Sequence, residues 1–172
     1  MTCIIGFADP KDKKIYIGGD SAGVSGYSVQ VRADEKVFRN GPFIMGFTTS
    51  FRMGQLLRYV FEPPAQAEGV EDYKYMVATF IPAVKKCFDD GDFEKGGEFI
   101  LGYKGSLYEV SSDFQVAKML DNIASVGCGA KIALGAMHAL THLYPKERIL
   151  KSLEITTYLN AGVRPPFIIE EI

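Results

Sequence analysis

The strand-forming and helix-forming stretches of this chain come in groups, and that order restricts the fold more than any other feature. Residues 2–7 (TCIIGF) and 14–20 (KIYIGGD) have β-rich composition, and Ala8-Asp9-Pro10-Lys11-Asp12-Lys13 between them has turn chemistry. A hairpin turning near Lys11 makes partner numbers sum to about 22, which sets Ile4 across from Gly18 and Thr2 across from Asp20. Residues 35–39 and 42–47 flank Asn40-Gly41, a strong hairpin dipeptide; partners summing to about 81 put Lys36 beside Met45 and Gly46. Helical spacing follows in residues 50–61, stopped by Pro63-Pro64, and again in residues 71–88, where Pro82 is expected to kink or interrupt the helix. A third hairpin, residues 98–103 and 106–110, turns at Lys104-Gly105, with further β-rich segments around residues 114–116 and 123–126. Residues 130–143 and 146–159 are helix-forming, and residues 166–172 end the chain as a strand.

Strands in runs and helices in pairs argue for an α+β fold of two sheets with helices on their outer faces, and against a parallel Rossmann sheet. The 172 residues, 47% of them hydrophobic, suit one globular domain over residues 1–172, with residues 64–72 a loop within it. Nineteen basic against 21 acidic residues, a net charge of -2, give no electrostatic footprint for nucleic acid. Three scattered cysteines, Cys3, Cys87 and Cys128, do not make a disulfide framework, which points to the cytoplasm. No basic, apolar leader opens the chain and no run of 18 apolar residues occurs, so neither export nor membrane spanning is expected.

The hairpin arithmetic brings a hydroxyl (Thr2), an acid (Asp20) and a base (Lys36) to one sheet edge. Thr2 is small enough to permit removal of Met1, after which its hydroxyl and a free α-amine share one residue. Such an amine has a reference pKa of about 7.7–8.0, so it can accept the hydroxyl proton without a histidine. Positive charge at Lys36 lowers that value further, and Asp20 keeps Lys36 charged and oriented. The plain alternative is an ordinary surface ion pair beside an ordinary second-position threonine. His138 and His142 have i, i+4 spacing, but Ala139 stands where a zinc protease places its glutamate and no third ligand follows, so no metal is assigned. Gly18-Gly19 and Gly127-Cys128-Gly129 lack the spacing of phosphate loops. Cys3 is read as a strand thiol facing a sheet interior.

Thr2-Cys3-Ile4-Ile5-Gly6, Gly18-Gly19-Asp20-Ser21, Lys36-Val37, Gly46-Phe47-Thr48-Thr49-Ser50 and Val126-Gly127-Cys128-Gly129 resemble, in order, landmarks of proteasome β subunits and the bacterial peptidase HslV. The resemblance spans nearly the whole chain. It implies an N-terminal nucleophile hydrolase fold, a four-layer αββα sandwich with two antiparallel sheets between helical layers. It also implies a threonine endopeptidase with Thr2 as nucleophile, Asp20 as supporting acid, Lys36 as the lysine tuning the amine, and the Thr49 N–H as oxyanion donor. As a main-chain donor, Thr49 is taken to tolerate a side chain where the family often has glycine. Phe47, with Thr48 beside it, falls where the family shapes its primary specificity pocket, which suggests an apolar P1 residue. No cofactor is implied. The expected partners are peptide or unfolded-protein substrates, copies of the same chain in a ring, and a separate ATPase unfoldase, since this chain has no ATP-binding motif.

Two departures stand out. Cys128 occupies the place of a serine common in the family, either as a proton relay at a helix N-terminus or as a buried structural thiol. The family's late acidic residue has no clear counterpart in residues 155–162, with Glu154 and Asn160 the nearest candidates. These departures, and the block that a retained Met1 would place on the amine, keep open a second reading: a catalytically silent subunit with a structural or binding role. A third, an amidase acting on a small molecule, shares the threonine chemistry.

Overall fold

The computed structural model describes residues 1–94 and 96–172. Strands β1 (Ile4–Ala8) and β2 (Ile15–Gly19) form the first hairpin, β3 (Ala22–Ser25) and β4 (Ser28–Val31) a small ribbon, and β5 (Val37–Asn40) and β6 (Phe43–Phe47) the next hairpin. Helices α1 (Phe51–Tyr59), α2 (Asp72–Tyr75) and α3 (Ile81–Asp90) follow, with a π-helical turn, Met76–Phe80, joining the last two. Then come β7 (Phe99–Tyr103), β8 (Ser106–Val110), β9 (Val116–Lys118), β10 (Ile123–Val126), α4 (Ala130–Ala139), α5 (Pro145–Leu159) and β11 (Ile168–Glu171). One sheet has the order β10-β1-β2-β11 and the other β5-β6-β7-β8-β9, all neighbours antiparallel.

Three apolar clusters define four layers. Ile4, Ile17, Val37, Ile44, Ile100 and Leu107 fill the space between the sheets. Ile5, Met137, Ile149 and Leu153 join the first sheet to α4 and α5, while Met45, Phe47, Met53, Leu57, Val84 and Phe88 join the second to α1 and α3. This is the αββα sandwich anticipated above. Gly46 shows how tightly the sheets approach: a Cβ there would lie 2.6 Å from Ile4 Cγ2 and 2.8 Å from Ile17 Cγ2. A side chain at that position would force the layers apart.

Both site-bearing hairpins are shifted from their expected registers. In the first, Ile4 faces Gly19 rather than Gly18, so Cys3, not Thr2, stands beside Asp20. The cause is the turn: Asp9 and Lys14 still pair, and Lys13 at φ 60 closes a loop centred between Lys11 and Asp12. In the second, Asn40 pairs with Phe43, so Gly41-Pro42 rather than Asn40-Gly41 makes the turn. Gly41 takes φ 56, matching a two-residue turn with glycine first. Asn40 is instead held in the strand by its side chain, which donates to the carbonyls of Leu57 and Phe61 at 2.8 Å. Lys36 therefore sits beside Phe47, whose N–H donates to the Lys36 carbonyl at 3.1 Å. The third hairpin is as expected, with Lys104 and Gly105 both at positive φ, 46 and 75.

Ser50 caps α1 by accepting from the Met53 N–H, and Pro82 falls in the first turn of α3, directly after the π-helical turn that interrupts the helix there, as expected. The β3–β4 ribbon was not anticipated, although Tyr27, Val29 and Val31 alternate with Ser28, Gln30 and Arg32; its strands are four residues each, and β4 is exposed along its whole length, so that alternation marks a solvent-facing ribbon and not a core strand. Among the described residues no helix is long and apolar enough to cross a membrane.

Candidate active site

Asp20 follows the last residue of β2 and is 1% exposed. Its carboxylate is fully subscribed: Oδ1 accepts from the Cys3 N–H (3.0 Å) and Lys36 Nζ (2.9 Å), and Oδ2 from the N–H groups of Ala22 (3.0 Å) and Arg164 (3.4 Å). One side chain thus ties together the start of β1, the start of β3 and the segment leading to β11. Lys36 gives a second proton to the Ala22 carbonyl at 2.7 Å, which leaves one of its three donors unassigned. Burial pushes the Lys36 ammonium below the ordinary lysine range; the adjacent Asp20 carboxylate opposes that shift without cancelling it. The surface ion pair considered above is excluded, because the two side chains are 1% and 0% exposed.

Thr2 is 4% exposed and shares a cavity of about 70 Å³ with Lys36, Phe47, Thr48 and Thr49. The residues that the sequence singled out on three separate segments therefore converge. With Met1 attached, the Thr2 nitrogen is a peptide amide; it donates to Cys128 Sγ at 3.3 Å, while Thr2 Oγ1 donates to the Met1 carbonyl at 2.5 Å. The Thr2 carbonyl is held by the Gly129 N–H at 3.3 Å. Gly127 allows this approach. It takes φ 96, and a Cβ on it would fall 2.3 Å from the Thr2 carbonyl oxygen.

The segment after β6 places its donors selectively. The Thr48 N–H goes to the Glu98 carbonyl and the Ser50 N–H to the Thr48 carbonyl, whereas the Thr49 N–H makes no hydrogen bond among the described residues. It is the donor left over in the cavity wall. Thr49 carries it in the left-handed region, φ 73, where a β-branched residue costs about 1–2 kcal/mol. The side chain is thus not indifferent, as the sequence reading supposed. Its Oγ1 accepts from the Glu98 N–H at 3.3 Å, which offsets part of that cost. Phe47 lines the cavity while its ring packs between β6 and α1, edge-on to Phe51 at 5.8 Å.

Cys128 is exposed, which removes the buried-thiol alternative. Besides the Thr2 contacts, Sγ lies 3.3 Å from Asn160 Oδ1, and Asn160 Nδ2 donates to the Cys128 carbonyl at 2.8 Å. Of the two late candidates, then, Asn160 reaches the site; Glu154 is on the surface with Lys151. Cys3 is buried, its thiol pushed up to about 12 chiefly by burial, so it stays protonated and unreactive. Arg164 was missed because it serves Asp20 through its backbone N–H, a role with no side-chain signature. His138 and His142 do not share a helix face, since α4 ends at Ala139, and His138 faces Asp121 at 3.3 Å. Among the described residues no group of three or more His, Cys, Asp or Glu side chains could hold a metal ion.

The architecture recurs in solved structures. Thiobacillus denitrificans BPH in complex with epoxomicin superimposes with a TM-score of 0.78 at 21% identity, covering 99% of this chain and 98% of that one. HslV from Trypanosoma brucei gives 0.70 at 17% identity, with 99% and 98% covered, and Anbu, an ancestral β-subunit from Yersinia bercovieri, gives 0.70 at 14%, with 99% and 81% covered. No protein-family model and no curated protein matches the sequence. The chain has the fold of the proteasome-type N-terminal nucleophile hydrolases. Within that class its architecture is shared with HslV, BPH and Anbu.

Proposed function

We propose that this protein is a threonine endopeptidase whose nucleophile is Thr2 after removal of Met1. The observation that carries the reading is the seating of Thr2 in one cavity with the buried Lys36–Asp20 pair and the unengaged Thr49 N–H. Once Met1 is gone, the nitrogen beside Thr2 Oγ1 is an amine. It takes the hydroxyl proton as Oγ1 attacks a peptide carbonyl; the Thr49 N–H stabilises the oxyanion; the amine's proton then passes to the leaving group. Water activated by the same amine hydrolyses the resulting ester. Lys36 supplies nearby positive charge that keeps the amine basic form available near neutral pH, and Asp20 fixes Lys36. Phe47 makes one wall of the substrate pocket apolar. The substrates are peptides or unfolded chains, the assembly is a ring of identical copies, and any ATPase unfoldase is a separate chain.

The test combines intact mass with a chromogenic peptide panel. Protein lacking Met1 should hydrolyse peptides with an apolar P1 residue, and Thr2→Ala should abolish this. Epoxomicin, bound by the Thiobacillus BPH, is expected to inhibit. Cleavage by protein that retains Met1, or by Thr2→Ala, would defeat the proposal. The Cys128–Asn160 pair, standing where the family places serine and an acid, favours a second reading as a silent assembly subunit. That reading predicts no cleavage by the processed wild type, in a particle that light scattering still shows as a ring.

A further inference from the structure

A second cavity, about 900 Å³, lies at the other end of the first sheet, where Asp9, Lys11 and Asp12 of the β1–β2 turn meet the α4–α5 connection. The seven extended residue steps from Thr2 to Asp9 span about 23 Å, so this cavity is separate from the one that holds Thr2. Its floor is Arg148, in the first turn of α5 and only 7% exposed. Nε and Nη2 both donate to the Met137 carbonyl near the end of α4, with Nε at 2.8 Å. The guanidinium carbon lies 4.8 Å from the centre of the Phe7 ring. These contacts use one edge and one face. The other edge is open: among the described residues Nη1 makes no hydrogen bond and no carboxylate forms an ion pair with Arg148. Nη1 is not sealed in either, because among the described residues the buried side-chain polar atom left without a partner is Tyr108 Oη. Nη1 therefore opens on the cavity.

A buried guanidinium without a counter-ion is unfavourable unless something supplies one. The acids at the rim do so only in part: Asp9 and Asp121 act on Arg148 through space, and among the described residues none of the rim carboxylates contacts it directly. Asp12 accepts from Tyr16 Oη and the Lys14 N–H, Glu171 pairs with Lys14 and Lys146, Asp121 faces His138, and Asp9 accepts from the Lys11 N–H. They do set the selectivity. The lining carries four carboxylates against Lys11 and Lys146, a surplus of negative charge that repels a phosphate dianion more than an ion with one negative charge. The remaining walls, Phe7, Leu143 and the exposed ring of Tyr144, suit an apolar body. We propose that this cavity binds a monocarboxylate with an apolar or aromatic body, its two oxygens bridging the free Nη1 and Nη2 protons of Arg148.

Isothermal titration of the native protein with 3-phenylpropanoate, 3-phenylpropanamide and inorganic phosphate tests this. The acid should bind saturably, and the amide and phosphate at least about tenfold more weakly, since only a monoanionic carboxylate completes the charged fork. Arg148→Lys, which keeps the charge but loses the fork, should weaken the acid by about tenfold. Because Arg148 also holds α4, Tyr144→Ala provides a variant at an exposed position, expected to weaken the acid while leaving the melting temperature unchanged. The proposal is overturned if acid and amide bind alike, if phosphate binds as well as the acid, if neither variant changes affinity, or if no binding tighter than a Kd of about 10 mM is seen.

Discussion

Replacing Lys36 with methionine removes one half of an ion pair whose side chains are 1% and 0% exposed, with Nζ 2.9 Å from Asp20 Oδ1. Breaking a buried pair from one side typically costs about 3–5 kcal/mol, because the partner's charge is left uncompensated. Here the stranded carboxylate keeps three main-chain donors, from Cys3, Ala22 and Arg164, so the lower end of that range, about 3 kcal/mol, is expected for Lys36→Met. The reverse substitution, Asp20→Ala, should be worse. It leaves those three N–H groups without their acceptor and the Lys36 ammonium with only the Ala22 carbonyl. At about 1–3 kcal/mol for each stranded donor, the loss reaches about 5 kcal/mol or more, comparable to the whole stability of many domains. Urea unfolding at pH 7 reads the difference. With a slope near 2 kcal/mol/M, Lys36→Met should lower the midpoint by about 1.5 M, while Asp20→Ala should yield little folded protein. If Asp20→Ala is the milder of the two, or if both cost less than about 1 kcal/mol, the argument that Asp20 anchors three chain segments fails.

Three further outcomes are expected. Gly127→Ala should cost more than about 3 kcal/mol in urea unfolding and abolish any peptidase activity, since it combines φ 96 with a Cβ 2.3 Å from the Thr2 carbonyl oxygen; a near-neutral result would mean that this approach is not needed. Cys3 has a folded pKa pushed up to about 12 from an ordinary 9.0, so its contribution to stability is complete below pH 9 and is lost as pH rises toward 12. Between pH 9 and 10 the wild type should lose about 1 kcal/mol more than Cys3→Ala, and parallel curves would remove Cys3 from the account. In the native state a thiol reagent should modify exposed Cys128 first, the half-buried Cys87 more slowly and Cys3 only on unfolding, an order that mass mapping of labelled peptides can check.

The site was legible because its parts sit at hairpin ends. Thr2, Asp20 and Lys36 lie within a residue or two of strand termini, so register shifts of one residue in the first hairpin and two in the second moved the partners without breaking the cluster. Those shifts did change roles: Asp20 receives the N–H of Cys3, and Thr2 is held from the other side by Cys128 and Gly129. Asn160 could be named only loosely, since α5 carries it back to Cys128 across 32 residues. Arg164 could not be found at all, and neither could the strain at Thr49, because both are properties of the backbone.

Local chemistry on its own determined the element order apart from the β3–β4 ribbon and the division of the second helix, the third hairpin, the α+β class and the set of side chains that meet at the candidate site. Those follow from turn residues, apolar spacing and side-chain reactivity, all of which act over a few residues. Tertiary structure alone decided the exact registers, the burial that lowers Lys36 and seals Cys3, the pairing of Cys128 with Asn160, and the open guanidinium edge of Arg148 far from Thr2. Each of these depends on which distant segments share a space and exclude water from it, and that is set when the four layers close.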